Sequence, residues 1–182
     1  MAGDSSARIK LTYQDYLAIP DDGRRHEIVG GEHVVNPAPS LRHQEVSVRL
    51  LFQLTAQVEH GGIGKVFHAP VDVRLSETDV MQPDIVVVTN DNREILAESH
   101  IEGPPDLVVE IVSPTTERLD RRVKLARYEL LGVSEYWIVD PAARVIERYV
   151  REEGRFAPPA RHAERIEAAT IPGVAIDLGT IW

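Results

Sequence analysis

The spacing of apolar residues along the chain predicts a mixed α/β fold with one long helix and a buried sheet. Between residues 41 and 60 apolar positions recur every four residues, which predicts a helix with Ser40 as its N-cap. The runs DIVVV at 84–88 and DLVVEIV at 106–112 are almost wholly apolar, which is typical of strands covered on both faces. The long helix is therefore followed by at least two central strands.

Shorter patterns predict the elements around this core. They are a helix in LTYQDYLAI with Thr12 as its N-cap, a hairpin around Gly30 and Gly31, one strand over KVFHAPVDVRL, a loop over SETDVMQP, a polar connection over 89–105, a helix from Pro114 to Leu131 ended by Gly132, two strands joined at Asp140 and Pro141, and a packed segment in VAIDLGTIW. The core order is helix, three strands, helix and strand, with an N-terminal hairpin and a C-terminal β extension. Because no linker or internal repeat interrupts this order, we expect residues 1–182 to form a single domain.

Composition limits the class of protein. The 182 residues suffice for one domain with a core and are too few for two ordinary domains. The chain has no cysteine, which excludes disulfides, iron–sulfur clusters and thiolate zinc sites and fits a reducing cytoplasm. No apolar run is long enough to span a bilayer, and the N-terminal segment lacks an apolar signal core. We therefore expect a cytoplasmic protein without membrane contact.

The formal net charge of −9, taken alone, argues against a nucleic-acid partner, because phosphate contacts require lysine and arginine. The basic residues nevertheless cluster in the helix that follows the second apolar strand: Arg118, Arg121, Arg122, Lys124 and Arg127. One interpretation is that Arg118, Arg121 and Arg122 contact phosphates. The alternative is a solvated helix face that pairs with the acidic residues of the same segment, Glu117, Asp120 and Glu129.

Glu110 lies within the second apolar strand, where an ionised carboxylate is unfavourable unless it is paired or bound to a metal. Its carboxylate can lie at the strand end in water, pair with a following arginine, or bind a divalent cation together with Asp84. Asp84 opens the other apolar strand, and neighbouring strands lie about 5 Å apart. Two acids at matching heights on such strands can share one ion, which favours the third interpretation.

Lys124 is the basic residue best placed to reach these carboxylates. It lies four residues after Asp120 and four before Tyr128, so the three share one helix face. The apolar stripe beside them is the predicted core face: Leu119, Val123, Ala126 and Leu130. The alternative for Lys124 is a surface salt bridge with Asp120. Two acids and a lysine suit phosphodiester hydrolysis, because Mg²⁺ takes oxygen ligands and lowers the pKa of bound water, while an ammonium orients that water or stabilises developing charge.

The motif Pro83–Asp84, followed by a strand that carries Glu110, resembles the signature of the PD-(D/E)XK nuclease superfamily. More narrowly, the chain resembles the Uma-two family over nearly its whole length, in the stretches TYQDYLAIPDDGRRHEIVGGEHV, PAPSLRHQEV, APVDVRLSETDVMQPDIVVV, PPDLVVEIVSPTTERLDRRVKLARYELLGVSEYWIVDP and IPGVAIDL. The resemblance implies a restriction-endonuclease-like core with a divalent metal held by Asp84 and Glu110. The superfamily's lysine position, two residues after the glutamate, is Val112 here. The family pattern makes Lys124 on the following helix the matching residue.

The resemblance also implies further candidates for the site. The superfamily often adds a glutamate from its first helix, where Glu45 is the candidate, and Glu32 and Glu27 on the hairpin are alternatives that match the family pattern. His43 matches at the start of the long helix, either as a substrate contact or as a capping or surface residue. Gln82, just before Pro83, can hydrogen-bond near the site.

The expected function is a Mg²⁺-dependent endonuclease acting on DNA, with Mn²⁺ as a substitute. Asp84 and Glu110 would hold the metal, and Lys124 would position the nucleophile. We expect a homodimer, since cutting two strands requires two sites. Two alternatives stay open. The first is a non-catalytic DNA-associated or protein-interaction module that keeps the fold, which Val112 and the acidic balance favour. The second is a metal-dependent phosphodiesterase for a non-DNA substrate.

Overall fold

A computed structural model describes residues 9–182 and shows an α/β sandwich. In chain order its elements are α1 (Tyr13–Leu17), β1 (Arg25–Val29), β2 (Glu32–Asn36), α2 (Leu41–Val58), β3 (Gly64–His68), β4 (Val73–Ser76), β5 (Asp79–Met81), β6 (Ile85–Thr89), a 3₁₀ turn (Asn90–Ile95), β7 (Ile101–Glu102), β8 (Leu107–Ile111), a π-helical segment (Leu119–Lys124), α3 (Leu125–Leu131), β9 (Glu135–Asp140), β10 (Val145–Glu152), β11 (Arg155–Phe156), β12 (Ala160–His162), β13 (Arg165–Glu167), β14 (Ala175–Asp177) and a final 3₁₀ turn (Leu178–Thr180). Within this part of the chain, no helix combines the length and apolar character that crossing a bilayer requires.

The central sheet has the order β11-β10-β9-β8-β6-β3, with β12 paired to β10. Strand β8 runs parallel to β9 and antiparallel to β6. The long helix α2 covers one face of the sheet, and its predicted apolar positions are fully buried: Val46, Leu50, Leu54 and Val58. The helix of residues 119–131 covers the other face, where Tyr128 packs on Tyr136. This confirms the predicted core order of helix, three strands, helix and strand.

A second, smaller sheet has the order β2-β1-β5-β4-β7. The predicted hairpin forms its edge, with positive φ at both Gly30 and Gly31, as a tight turn between two strands requires. The predicted single strand over KVFHAPVDVRL is wrong, because the chain divides there into β3 of the central sheet and β4 of the smaller one. Pro70 separates the two strands, since proline has no N–H to continue a ladder. The predicted loop over SETDVMQP is also wrong, because it contains β5, antiparallel to β4.

The predicted core face of the helix of residues 119–131 is wrong. Val123 and Leu130 are 44% and 67% exposed, whereas Asp120, Lys124 and Tyr128 are buried. Part of the reason is local: residues 119–124 form a π-helical segment, in which each turn holds more residues than an α-helical turn, so a stripe at α-helical spacing leaves the core face. The other part is pairing, because the buried polar residues find partners on the two sheets.

Candidate active site

Strands β6 and β8 place Asp84 and Glu110 opposite each other. Ile85 is paired with Val109 in the antiparallel ladder, and one step outward along that register brings residue 84 across from residue 110. Side chains of directly opposed residues lie on the same face of a sheet. Both carboxylates line one cavity of about 300 Å³, which we call the site cavity, and they are 5% and 3% exposed. The two acids therefore lie on the same face of the sheet, the one covered by the helix of residues 119–131.

Lys124 joins Glu110 to a third acid. Its ammonium donates hydrogen bonds to Glu110 Oε1 at 2.8 Å and to Glu27 Oε1 at 2.9 Å, and it lies 3.9 Å from Asp120 Oδ1. Tyr128, one helical turn further along, donates its hydroxyl to the same oxygen of Glu110 at 2.9 Å. The alternative of a surface salt bridge with Asp120 is wrong, because Lys124 is buried among carboxylates.

Asp84 is held by three donors from different parts of the chain. Arg25 donates to Oδ1 at 3.1 Å, the backbone N–H of Ile111 donates to Oδ2 at 2.8 Å, and His43 Nε2 lies 3.1 Å from Oδ2. His43 reaches this position because Ser40 caps α2 through the N–H of His43 and so fixes the first turn at the mouth of the site cavity. Both carboxylate oxygens of Asp84 thus accept hydrogen bonds, which fix the orientation of the side chain.

Glu27 and Arg25 enter the site together, because they are two residues apart on β1 and so project from the same face. Glu27 accepts hydrogen bonds from the backbone N–H of Gln82 at 2.6 Å and from the Asn36 amide at 2.8 Å, in addition to Lys124. Arg25 also donates to the carbonyl of Gln82. The sequence argument missed Arg25 and Asn36, although the spacing of Arg25 from Glu27 on a predicted strand was a usable signal.

Gln82 takes part in the site through its backbone. Its side-chain amide turns away and donates to Asp72 at 2.8 Å and to the Tyr16 hydroxyl at 3.2 Å. That hydroxyl in turn donates to Asp72 at 2.6 Å. The predicted hydrogen bond of Gln82 near the site therefore runs from its N–H to Glu27, while its side chain fastens α1 to the smaller sheet.

Burial, together with the charges of neighbouring groups, shifts the pKa values of the ionisable residues in the site. Burial raises the pKa of Glu110 to about 8; the Lys124 ammonium opposes this rise, and the carboxylates of Asp120, Asp84 and Glu27 add to it. Burial likewise raises the pKa of Asp120 to about 6. Burial alone would lower the pKa of Lys124, but the carboxylates around it raise that pKa, so the ammonium stays charged.

The pKa of Asp84 moves the other way. Burial tends to raise it, but His43 and Arg25, together with the Ile111 N–H, more than offset that effect and leave it below its usual value. Asp84 is therefore an ionised carboxylate in a buried position. Its ionisation depends on three donors, one each from β1, α2 and β8. Because these elements are distant from Asp84 along the chain, the sequence alone did not reveal the donors.

The carboxylate oxygens of Asp84 and Glu110 are suitable ligands for a small hard cation. Both hydrogen bonds that reach the Glu110 carboxylate from within residues 9–182 end on Oε1, which leaves Oε2 open to a further ligand. In the same range, no group of three or more histidine, aspartate or glutamate side chains is arranged to hold a metal. Two protein carboxylates nevertheless match the way Mg²⁺ is often held, with water and substrate oxygens completing its shell.

The other sequence candidates lie outside the site cavity. Glu45 is on the exposed face of α2 and pairs with Arg42 at 3.4 Å, and Glu32 is exposed on β2. Arg118 and Arg122 line a separate shallow cavity with Arg121. Arg121 is already engaged, because it contacts three carboxylates: Glu117 at 2.9 Å, Asp140 at 3.0 Å, and Glu147.

The sandwich is restriction-endonuclease-like, and two opposed buried acids and a lysine lie within it. The protein therefore has a nuclease fold. The family model described as "Uma2: Putative restriction endonuclease" matches residues 13–179, and the chain belongs to that family. A solved structure titled as a putative nuclease belonging to DUF820, from Anabaena variabilis ATCC 29413, superposes with a TM-score of 0.78 at 16% identity, over 94% of this chain and 97% of that one. A search of curated proteins found no match.

Proposed function

We propose that this protein is a Mg²⁺-dependent endonuclease that hydrolyses phosphodiester bonds in DNA. The observation that carries the proposal is the pair Asp84 and Glu110, opposed on neighbouring strands in one buried cavity and bridged to a lysine through Glu110. The family and the fold support a nuclease. The metal, the substrate and the roles of individual residues are our inference from the site.

The chain's own groups would divide the work as follows. Asp84 and Glu110 would hold the cation, which when bound polarises a phosphoryl oxygen and lowers the pKa of a coordinated water. Arg25, His43 and the Ile111 N–H keep Asp84 ionised and fixed in orientation. Lys124, fixed by Glu27, keeps a positive charge beside Glu110, where it stabilises negative charge that develops on the phosphate.

The first test is cleavage of plasmid DNA with Mg²⁺ by wild type, Asp84→Asn and Glu45→Gln. We expect Asp84→Asn to lose about a hundredfold or more in rate, because the cation loses a charged ligand. Glu45→Gln is the matched control, since it also removes one carboxylate but from the exposed face of α2. Equal activity of all three proteins would contradict the assignment of the site.

Metal binding is tested apart from activity by thermal denaturation. Mg²⁺ or Mn²⁺ should raise the melting temperature of wild type and of Glu45→Gln, and should leave that of Asp84→Ala unchanged, because a ligand stabilises only the form that binds it. An equal rise for all three proteins would mean that the ion binds elsewhere.

A second candidate function is a non-catalytic interaction module that keeps the nuclease fold. The specific observation in its favour is that Lys124 is fully engaged by buried carboxylates, an arrangement that also serves purely to hold a helix on a sheet. Assay of wild type and Lys124→Ala with Mn²⁺ separates the two: wild type that cleaves no substrate supports the module, whereas activity that survives the substitution shows a nuclease in which Lys124 is structural. Plasmid, single-stranded DNA and RNA assayed in parallel separate DNA cleavage from hydrolysis of another phosphodiester.

We also propose a homodimer, to be checked by light scattering on the eluting protein. A single mass equal to that of the monomer across the concentration range would contradict it. The cytoplasmic location expected from the cysteine-free composition stays a prediction.

A further inference from the structure

The site cavity adjoins two larger cavities and shares lining residues with each of them. On one side it shares Ser40 and His43 with an open cleft of about 720 Å³. On the other side it shares Arg25, His43 and Asp84 with a cavity of about 420 Å³. His43 borders all three spaces. We call these three adjoining cavities, which meet near the N-terminus of α2, the trough; Asp84 and Glu110 lie in its middle section, the site cavity.

The middle section is the smallest of the three cavities, and the carboxylates are nearly buried in it. Its walls include the segments 36–40 and 113–116, and Asp84 and Glu110 expose only 5% and 3% of their surface. In a duplex each phosphate is carried on the outside of a wide rod, with the second strand beside it. A flexible single strand brings its backbone into so recessed a site without a partner strand to accommodate.

The open cleft has the chemistry of a single-strand binding surface. Arg42 and Arg144 line it, together with the half-buried Trp182. Its two acids, Glu117 and Asp140, are both paired with Arg121, at 2.9 and 3.0 Å. Arginines that track a backbone and an aromatic face on which a base can stack are the two elements that single-strand binding proteins combine.

Arg144 is the cation of the cleft most available to a ligand. It is exposed at the turn between β9 and β10 and makes no ion pair within residues 9–182, in contrast to Arg42, which lies 3.4 Å from Glu45. The far cavity adds the polar side chains of Gln44, Ser47 and His68 beside Arg25. The trough thus offers contacts on both sides of the carboxylate pair, as cleavage within a chain requires.

We infer that the trough binds single-stranded nucleic acid, with bases against Trp182, backbone phosphates at Arg42 and Arg144, and the strand continuing past Asp84 into the far cavity. This inference rests on the proposed function, whose substrate it specifies. The site would therefore bind unpaired nucleic acid, either as a free single strand or as an opened segment of a duplex.

The test is fluorescence anisotropy with a fluorescein-labelled oligodeoxythymidine longer than about 16 nucleotides, the same strand annealed to its complement, and the matching oligouridine. Measurements are made without divalent metal so that binding is read apart from cleavage. We expect either single strand to bind at least about tenfold more tightly than the duplex. Trp182→Leu and Arg144→Asn should each weaken single-strand binding by about tenfold. Asparagine suits position 144, because Arg144 has a φ of 53° and asparagine tolerates that conformation.

Arg93→Gln is the matched control, because Arg93 is also an exposed arginine but follows the end of β6 that lies away from Asp84. Should the Trp182 variant unfold, Arg144→Asn at its exposed turn keeps the test decisive. If duplex binds as tightly as single strand, or if the variants bind like wild type, the inference that the trough binds single-stranded nucleic acid is wrong. The nuclease proposal is unaffected by either result. Tight single-strand binding without cleavage of any substrate would support the trough and remove the nuclease proposal.

Discussion

At the residue scale, two ion pairs with buried acids fasten the helix of residues 119–131 to the smaller sheet. Lys124 reaches Glu27 on β1, and Arg127, three residues further on, reaches Asp79 at the start of β5. Burying a charge is unfavourable unless it is paired and hydrogen-bonded, and both acids meet that condition fully. Because the first pair also touches Glu110, the packing of the helix and the geometry of the proposed metal site depend on each other.

Asp79 allows a test of this attachment away from the site cavity. It accepts hydrogen bonds from Arg127 Nε at 2.8 Å, the Gly30 N–H at 2.8 Å and the Ser76 hydroxyl at 2.6 Å, and Arg127 makes a second contact with its other oxygen. Burial tends to raise the pKa of Asp79, but these donors more than offset that effect and lower it below its usual value. The ionised form is therefore the form that stabilises the fold.

We expect Asp79→Asn to lower the free energy of unfolding by about 3 kcal/mol at neutral pH, because Arg127 loses its buried partner. A depressed pKa contributes stability above the pKa of the unfolded aspartate, about 3.9, and that contribution is lost as the pH falls through the lower value of the folded protein. The gap between wild type and variant should therefore narrow at acid pH. Urea denaturation at several pH values measures it, with exposed Asp91→Asn as control; a gap independent of pH would contradict the pairing.

At the element scale, the helix of residues 119–131 shows where local pattern stops being informative. Its buried face carries Asp120, Lys124 and Tyr128, and its apolar stripe faces outward. Periodicity reports the core face only when apolar burial decides the packing. Here pairing with Glu27 and Glu110 decides it, and those partners come from β1 and β8, 97 and 14 residues away along the chain.

This reversal predicts a clear loss of stability for one of two neighbouring substitutions and almost none for the other. Tyr128→Phe should lower the free energy of unfolding by about 1–2 kcal/mol, because the buried Glu110 carboxylate loses a hydroxyl donor. Leu130→Gln, two residues away, should change it by less than about 0.5 kcal/mol, because that side chain is exposed. Urea denaturation of the two variants measures both values. A large loss for Leu130→Gln with none for Tyr128→Phe would restore the apolar stripe as the core face.

The elements that the sequence predicted well are those stabilised by contacts on their own faces. Helix α2 and strands β6 and β8 follow from apolar spacing, and Asp84 with Glu110 stood out because acids are rare in such strands. Strand β5 and the role of Arg25 did not follow from the sequence. Arg25 depends on Asp84, 59 residues away along the chain. Strand β5 has only three residues and pairs with β4 across a short polar turn, so its pattern resembles that of a loop.

At the scale of the whole molecule, the last segment of the chain completes the core beneath α2. Ile176, Leu178 and Ile181 are fully buried in the same apolar cluster as the helix. Gln57 of α2 exchanges two hydrogen bonds with the backbone of Ala175, at 2.7 and 2.8 Å, and Gln53 accepts one from the Asp177 N–H at 2.9 Å. The helix thus acts as an edge partner for β14, and the C-terminal extension is part of the fold.

We therefore expect the chain to unfold as one unit and Ile176→Ala to weaken all of it. The truncation should lower the free energy of unfolding by about 2–5 kcal/mol, because it opens a cavity in the cluster beneath α2. Ile9→Ala is the matched control, since Ile9 is 92% exposed, and should change stability by less than about 0.5 kcal/mol. Trp137 lies in the same cluster, so tryptophan fluorescence and far-ultraviolet circular dichroism should give coincident urea transitions in both variants. Separate transitions for the two signals would mean that the C-terminal extension folds independently, and the single-domain prediction would then be wrong.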